Sequence, residues 1–164
     1  MNVVLPKYLE RGVIADVAWI PLKFFTDARG WLVELFRNDL IPPPFHPVMA
    51  YVSMTQPGVV RGPHEHRDQA DYFCFLGPST FRVYLWDARP NSASFGTREV
   101  REVGENAPFA VIVPPGVVHA YKNIGTTAGW VFNAANRLYG GWLKQEPVDE
   151  IRHENDPNSP YRVE

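Results

Sequence analysis

One cysteine, Cys74, stands in the 164-residue chain, so no disulfide can close within it. A chain without disulfides suits a reducing compartment and must be held by its core. Apolar residues at 45% suffice for that. No charge sign dominates: 16 Lys and Arg face 18 Asp and Glu, for a net charge of −2. That balance lacks the basic footprint of a nucleic-acid binder. No apolar run approaches the roughly 18 residues of a membrane span. The opening Met-Asn-Val-Val-Leu-Pro has no basic region followed by an apolar one. The expectation is a cytoplasmic protein with neither a membrane nor a nucleic acid as partner. Long helices are missing too. Sixteen prolines and twelve glycines interrupt the chain. No segment keeps a helical period beyond about two turns. No repeat, linker or low-complexity stretch divides it, which predicts a single domain over residues 1–164.

What the chain has instead is short apolar or alternating runs, such as Met49–Thr55, Phe81–Trp86, Phe109–Val113 and Val117–Asn123. Turn signals separate them: Asp27-Ala-Arg-Gly30, Pro57-Gly58, Gly77-Pro78 and Pro114-Pro-Gly116. Many short strands at even spacing predict an all-β sandwich or barrel. Strand alternation places Phe81, Val83 and Leu85 on one face and Arg82, Tyr84 and Trp86 on the other. The stretch 148–156 reads as a short C-terminal helical turn, and 41–47 as an extended loop.

Two histidine segments carry the chemistry. In Arg61-Gly-Pro-His64-Glu-His66-Arg-Asp-Gln69-Ala-Asp71, His64 and His66 are two apart, so on a strand both face one pocket. In Pro114-Pro-Gly116-Val-Val-His119-Ala-Tyr-Lys-Asn123, a tight turn delivers His119 onto the next strand. These segments resemble the paired motifs of the cupins. The resemblance implies a cupin double-stranded β-helix, a jelly-roll barrel with its site in the mouth.

Further segments narrow the resemblance. Asp27-Ala-Arg29-Gly30-Trp-Leu-Val-Glu34, Arg61-Gly62-Pro-His64, Asp87-Ala-Arg89-Pro-Asn-Ser92-Ala-Ser-Phe95-Gly96 and Asn155-Asp156-Pro157 resemble the dTDP-4-dehydrorhamnose 3,5-epimerase family. The family moves protons beside the ketone of a 4-keto-6-deoxyhexose nucleotide and needs no cofactor. The resemblance places His64 as catalytic base and Asp156 as its paired carboxylate. It places Asp87 and His119 in the pocket, and Arg29, Glu34 and Arg61 on the nucleotide and its diphosphate. A histidine titrating near neutrality suits proton exchange, and arginine forks suit a diphosphate. The family also forms homodimers through its N-terminal segment. Residues 1–37, with Trp19, Phe24, Phe25, Trp31 and Phe36, are expected in such a contact, with Arg29 reaching the partner's pocket.

Three positions depart from that pattern. Counting thirteen residues from His119, where the family keeps its acid tyrosine, reaches Phe132, which cannot donate a proton. Tyr139, and Tyr121 beside it, are the substitutes. The family's pocket lysine is Asp71 here. The residue two after the base is His66 rather than glutamine. Together, His64, His66, Asp71 and His119 form the three-histidine, one-carboxylate set of a metal cupin, which suits one divalent transition metal. The leading expectation is thus a metal-free sugar-nucleotide epimerase. The alternatives are a metal-dependent cupin enzyme on another small substrate and a non-catalytic sugar-nucleotide binder.

Overall fold

The computed structural model describes residues 9–164. Residues 1–8 of the expected N-terminal contact segment lie outside the described residues. The strands are β1 (Glu10–Arg11), β2 (Ala18–Pro21), β3 (Phe24–Asp27), β4 (Gly30–Val33), β5 (Met49–Thr55), β6 (Val60–Glu65) and β7 (Asp71–Phe75). They continue as β8 (Thr80–Asp87), β9 (Arg98–Gly104), β10 (Phe109–Val113), β11 (Val117–Asn123), β12 (Gly129–Ala135) and β13 (Ile151–Arg152). A six-stranded sheet runs β1-β2-β10-β7-β12-β5, and a five-stranded sheet runs β13-β6-β11-β8-β9. The fold is the all-β jelly roll that the motifs implied. Hairpin β3–β4 stands apart from both sheets.

The period of two decides the layers. Phe81, Val83 and Leu85 of β8 enter the core between the sheets, with Trp19, Phe75, Val111 and Val131. The other face of β8 is also covered: Tyr84 and Trp86 pack with Val118 and Ala120 under Tyr161 and Val163 of the C-terminal tail. On the outside of the larger sheet, Tyr72, Cys74, Ile112 and Ala134 are roofed by Leu22, Ile41 and Phe45. The expected loop at 41–47 contains one 3₁₀ turn, Pro43–Phe45. The expected terminal helical turn is a 3₁₀ turn, His153–Asn155, preceded by β13, which pairs with β6.

Two local devices position the site. Between β6 and β11 the register slips: His64 faces His119, whereas Arg61 faces Tyr121. One extra residue in β6 makes this bulge. Gly62 sits there at φ +82°, where a Cβ would lie 2.6 Å from the His119 carbonyl oxygen. Only glycine accepts both the angle and the approach. At the far end of β8, Asp87 fastens the turn to β9. It accepts from Arg89 Nε at 2.8 Å and from the hydroxyls of Ser92 and Ser94. Arg89 in turn donates to the carbonyl of Ala15 at 2.7 Å.

Candidate active site

The sheets open onto a cavity of about 900 Å³, whose wall includes His64, His66, Phe73 and Tyr121. Arg61, Lys144, Glu150 and Arg152 also line it. Arg61 is held in place, with Nε donating to Thr55 Oγ1 at 2.9 Å and Nη2 to the Met54 carbonyl at 2.8 Å.

His64 on β6 and His119 on β11 are cross-strand partners, with ring centroids 4.3 Å apart. His66, just past β6, brings its ring to 5.7 Å from His64 and 5.8 Å from His119. The nearest carboxylate to His64 Nε2 is Glu150 Oε1, at 4.0 Å. Burial, reinforced by the two neighbouring imidazoles, pushes His64 down to about 2, so at neutral pH it carries a free lone pair.

Behind these rings lies Asp71, at the start of β7 and almost fully buried. Its Oδ1 accepts from Gln69 Nε2 at 3.0 Å and Asn133 Nδ2 at 2.9 Å. Its Oδ2 lies 3.2 Å from His66 Nε2 and 3.3 Å from His119 Nε2. Burial alone would raise this carboxyl, but the two imidazoles hold it well below the usual carboxylate range. The contact to His119 is close yet out of line. Among the described residues, the buried Nε2 of His119 has no hydrogen-bond partner. The other nitrogens are anchored: His119 Nδ1 donates to the Val117 carbonyl at 3.0 Å, and His66 Nδ1 to the Asp149 carbonyl. For His66, burial disfavours the protonated form, but Asp71 and that carbonyl outweigh it. His64, His66 and His119 each offer a ring nitrogen within 4.8 Å of the others. This donor chemistry, with the orphaned His119 Nε2, fits a divalent transition metal.

The other expected site residues scatter. Asp87 is buried, but in the turn fastening rather than on the cavity wall, since its oxygens are consumed by Arg89 and two serines. Asp156 is exposed and accepts from its own neighbour, Asn158 N, at 2.9 Å. No ion pair joins it to His64, because β13 brings Glu150 to that place instead. Arg29 and Glu34 are exposed near hairpin β3–β4, paired with Asp27 and Arg37. Tyr139 lines the cavity and is half exposed. Tyr121 also faces it, its hydroxyl 3.2 Å from Ser53 Oγ. Phe132 lies on the outer face of β12, stacked on Phe36, so that position does not reach the cavity. Its neighbour Asn133 points inward and bridges Asp71 to the hydroxyl of Tyr51, donating to the latter at 2.9 Å. Tyr51 is half exposed as a residue, but its hydroxyl end faces inward, where burial pushes it up to about 12.

Four participants, Glu150, Asn133, Tyr51 and Asp149, carry no motif. Asp149 caps the turn after His66, accepting from the backbone N–H groups of Arg67, Asp68 and Gln69, each at 2.9 Å.

Residues 11–142 match the sequence model of the dTDP-4-dehydrorhamnose 3,5-epimerase family. The chain is 37% identical over 128 residues to the probable low-salt glycan biosynthesis epimerase Agl13 of Haloferax volcanii, covering 77% of this chain and 81% of that one. The fold is similar to a dTDP sugar isomerase of Desulfovibrio desulfuricans G20, with TM-score 0.76, 19% identity and 91% of each chain covered. It is also similar to a dTDP-6-deoxy-D-glucose 3,5-epimerase of Legionella pneumophila in complex with dTDP-4-keto-L-rhamnose. That match has TM-score 0.74 and 19% identity and covers 95% of this chain and 85% of that one. The chain belongs to the dTDP-4-dehydrorhamnose 3,5-epimerase family and is a carbohydrate epimerase of that type.

Proposed function

We propose that the cavity takes a nucleoside diphosphate linked to a 4-keto-6-deoxyhexose and that the chain inverts a carbon beside the ketone. The observation that carries this reading is the placement of His64 on the cavity wall with Glu150 Oε1 4.0 Å from its Nε2. A hydrogen next to a ketone is acidic enough for an imidazole to remove, and a carboxylate beside the ring stabilises the imidazolium formed. His64 is the base. The paired-carboxylate role that the resemblance gave to Asp156 passes to Glu150. Tyr139 on the cavity wall returns the proton from the other side. His119 fixes His64 from the facing strand. Arg61, with Arg152 and Lys144, takes the diphosphate. The proton transfers themselves draw on no cofactor.

The working unit in this reading is a homodimer of the single domain 1–164, placed in the cytoplasm where its one thiol stays free. Hairpin β3–β4 exposes Phe25, Trp31 and Leu32 at 49%, 60% and 60%, more apolar surface than a solvated arm needs. It offers Arg29 and Glu34 to a second copy's cavity.

The test is solvent exchange. Wild-type protein incubated with dTDP-4-keto-6-deoxyglucose in deuterium oxide is expected to place deuterium on the carbon beside the ketone. Tight binding of dTDP without any exchange would instead support a sugar-nucleotide binder without catalysis.

A further inference from the structure

We propose that Glu65 and His153, on the outer face of the five-stranded sheet, are positioning residues that hold Glu150 at His64. Strand alternation separates the two faces. His64 and His66 line the cavity, and Glu65 between them turns to the opposite side, under the C-terminal tail. There His153 Nε2 donates to Glu65 Oε1 at 2.9 Å. Both side chains are largely withdrawn from water, Glu65 at 15% and His153 at 17% exposed. The imidazole of His153 also packs edge-on against Tyr161, with ring centroids 4.7 Å apart.

Glu150 stands one residue before β13, and β13 is short. Its two residues, Ile151 and Arg152, pair with Glu65 and His64 at the edge of the sheet. So short an edge strand supports a carboxylate weakly, because few ladder bonds oppose its local opening. Two ties outside the ladder brace it. On one side, Asp149 accepts from three backbone N–H groups of the turn after His66. On the other, His153 is fastened to Glu65 where the 3₁₀ turn begins. Glu150 lies between these ties. Its Oε2 accepts from Arg152 Nε and Nη2, each at 2.8 Å, which leaves Oε1 toward His64.

Glu65 belongs to the strand that carries His64, and His153 to the segment that carries Glu150. Their hydrogen bond therefore fixes the base and its carboxylate relative to each other, from outside the cavity. The proposal rests on the epimerase reading, in which Glu150 stabilises the imidazolium of His64. The separation of 4.0 Å is the outer limit of an ion pair. A further displacement of about 1 Å at a reacting centre costs on the order of 10²-fold in rate. Arg61 is held separately by Thr55 and Met54, so the larger loss falls on kcat rather than KM.

The experiment compares full-length wild type with His153→Phe, which keeps a ring against Tyr161 but has no nitrogen, and with His153→Gln, which keeps a donor. Steady-state rates on dTDP-4-keto-6-deoxyglucose and amide hydrogen exchange by mass spectrometry are both read. His153→Phe should lower kcat about 20-fold with KM within about threefold. It should also speed amide exchange over residues 149–153 at least about fivefold. His153→Gln should bring both readouts back to within about threefold of wild type. In a Glu150→Gln background, His153→Phe should cost less than about threefold more, because no carboxylate is left to position. An equal loss of kcat in both backgrounds, or no loss in the wild-type background, overturns the positioning role. Unchanged amide exchange over 149–153 overturns the tie itself. Glu65→Ala, with the same expectations, stands in if circular dichroism shows His153→Phe unfolded. The epimerase reading fails separately: wild type without turnover sinks that reading, and amide exchange still decides whether the tie holds β13.

Discussion

Asp71 and Asp87 are both 2% exposed, and both are held below the usual carboxylate range. They sit at strand ends, one opening β7 and the other closing β8. Their surroundings differ. Asp87 meets a guanidinium, two hydroxyls and a backbone N–H, every one of them a donor whose geometry the turn itself sets. Asp71 meets two amides on one oxygen and two imidazoles on the other, one of them with an unpartnered nitrogen. A buried charge whose donors are matched locally is architecture. A buried charge left facing groups that can change protonation or take a ligand is a site.

The contrast predicts opposite phenotypes. Asp71→Asn should lower kcat about 10³-fold, equivalent to roughly 4 kcal/mol of barrier, while shifting the urea midpoint little. Steady-state kinetics with parallel unfolding curves would show it. Asp87→Ala should leave kcat within threefold and cost about 2–3 kcal/mol of stability, because the turn loses the acceptor of Arg89, Ser92 and Ser94 while Arg89 keeps Asp16 at 3.3 Å. If the two variants behaved alike, the distinction would be lost.

The acid dependence sharpens the contrast further. Folding depresses the carboxyl of Asp87, against the opposing effect of burial, through Arg89, Ser92 and Ser94. Its stabilisation is therefore fully present above the unfolded value near 4 and is lost as pH falls through the lower folded value. The stability gap between wild type and Asp87→Asn should be constant from pH 7 to 5 and should narrow below about pH 4. A gap that widened on acidification would contradict the assignment.

A smaller effect is expected at the bulge. Gly62→Ala should cost about 2 kcal/mol, since the new Cβ meets the His119 carbonyl oxygen at 2.6 Å in a left-handed conformation. It should also impair activity by moving His64. The smallest change belongs to Arg29→Ala, an exposed hairpin residue. Stability should move by less than about 0.5 kcal/mol, while KM rises severalfold, if a second copy's cavity uses that arginine. Sedimentation at micromolar concentration checks the dimer on which this depends.

Much of the architecture was legible because it follows a period of two. The face of Phe81, Val83 and Leu85 was readable, and so was the gathering of His64, His66 and His119, since each is set by strand alternation and a turn. The outer burial of Tyr84 and Trp86 was not, because it depends on a tail 75 residues further along. Counting to Phe132 failed for the same reason that alternation works: one step along β12 separates the outer face from Asn133, which turns inward onto Asp71. Glu150 could not be found from spacing, since only the pairing of β13 with β6 carries it to His64. Asp87 with Arg89 reads alike as a ligand pair or a turn fastening until the surrounding donors are seen.

The claim on which the rest depends is that His64 moves the proton. It is tested most directly by mass spectrometry of dTDP-4-keto-6-deoxyglucose after incubation in deuterium oxide with wild type and with His64→Ala, alongside calorimetric titration of each protein with dTDP. The prediction is deuterium gain with the wild type, none above the buffer rate with His64→Ala, and dTDP affinities within about threefold of each other. Undiminished exchange in a folded His64→Ala protein would contradict it.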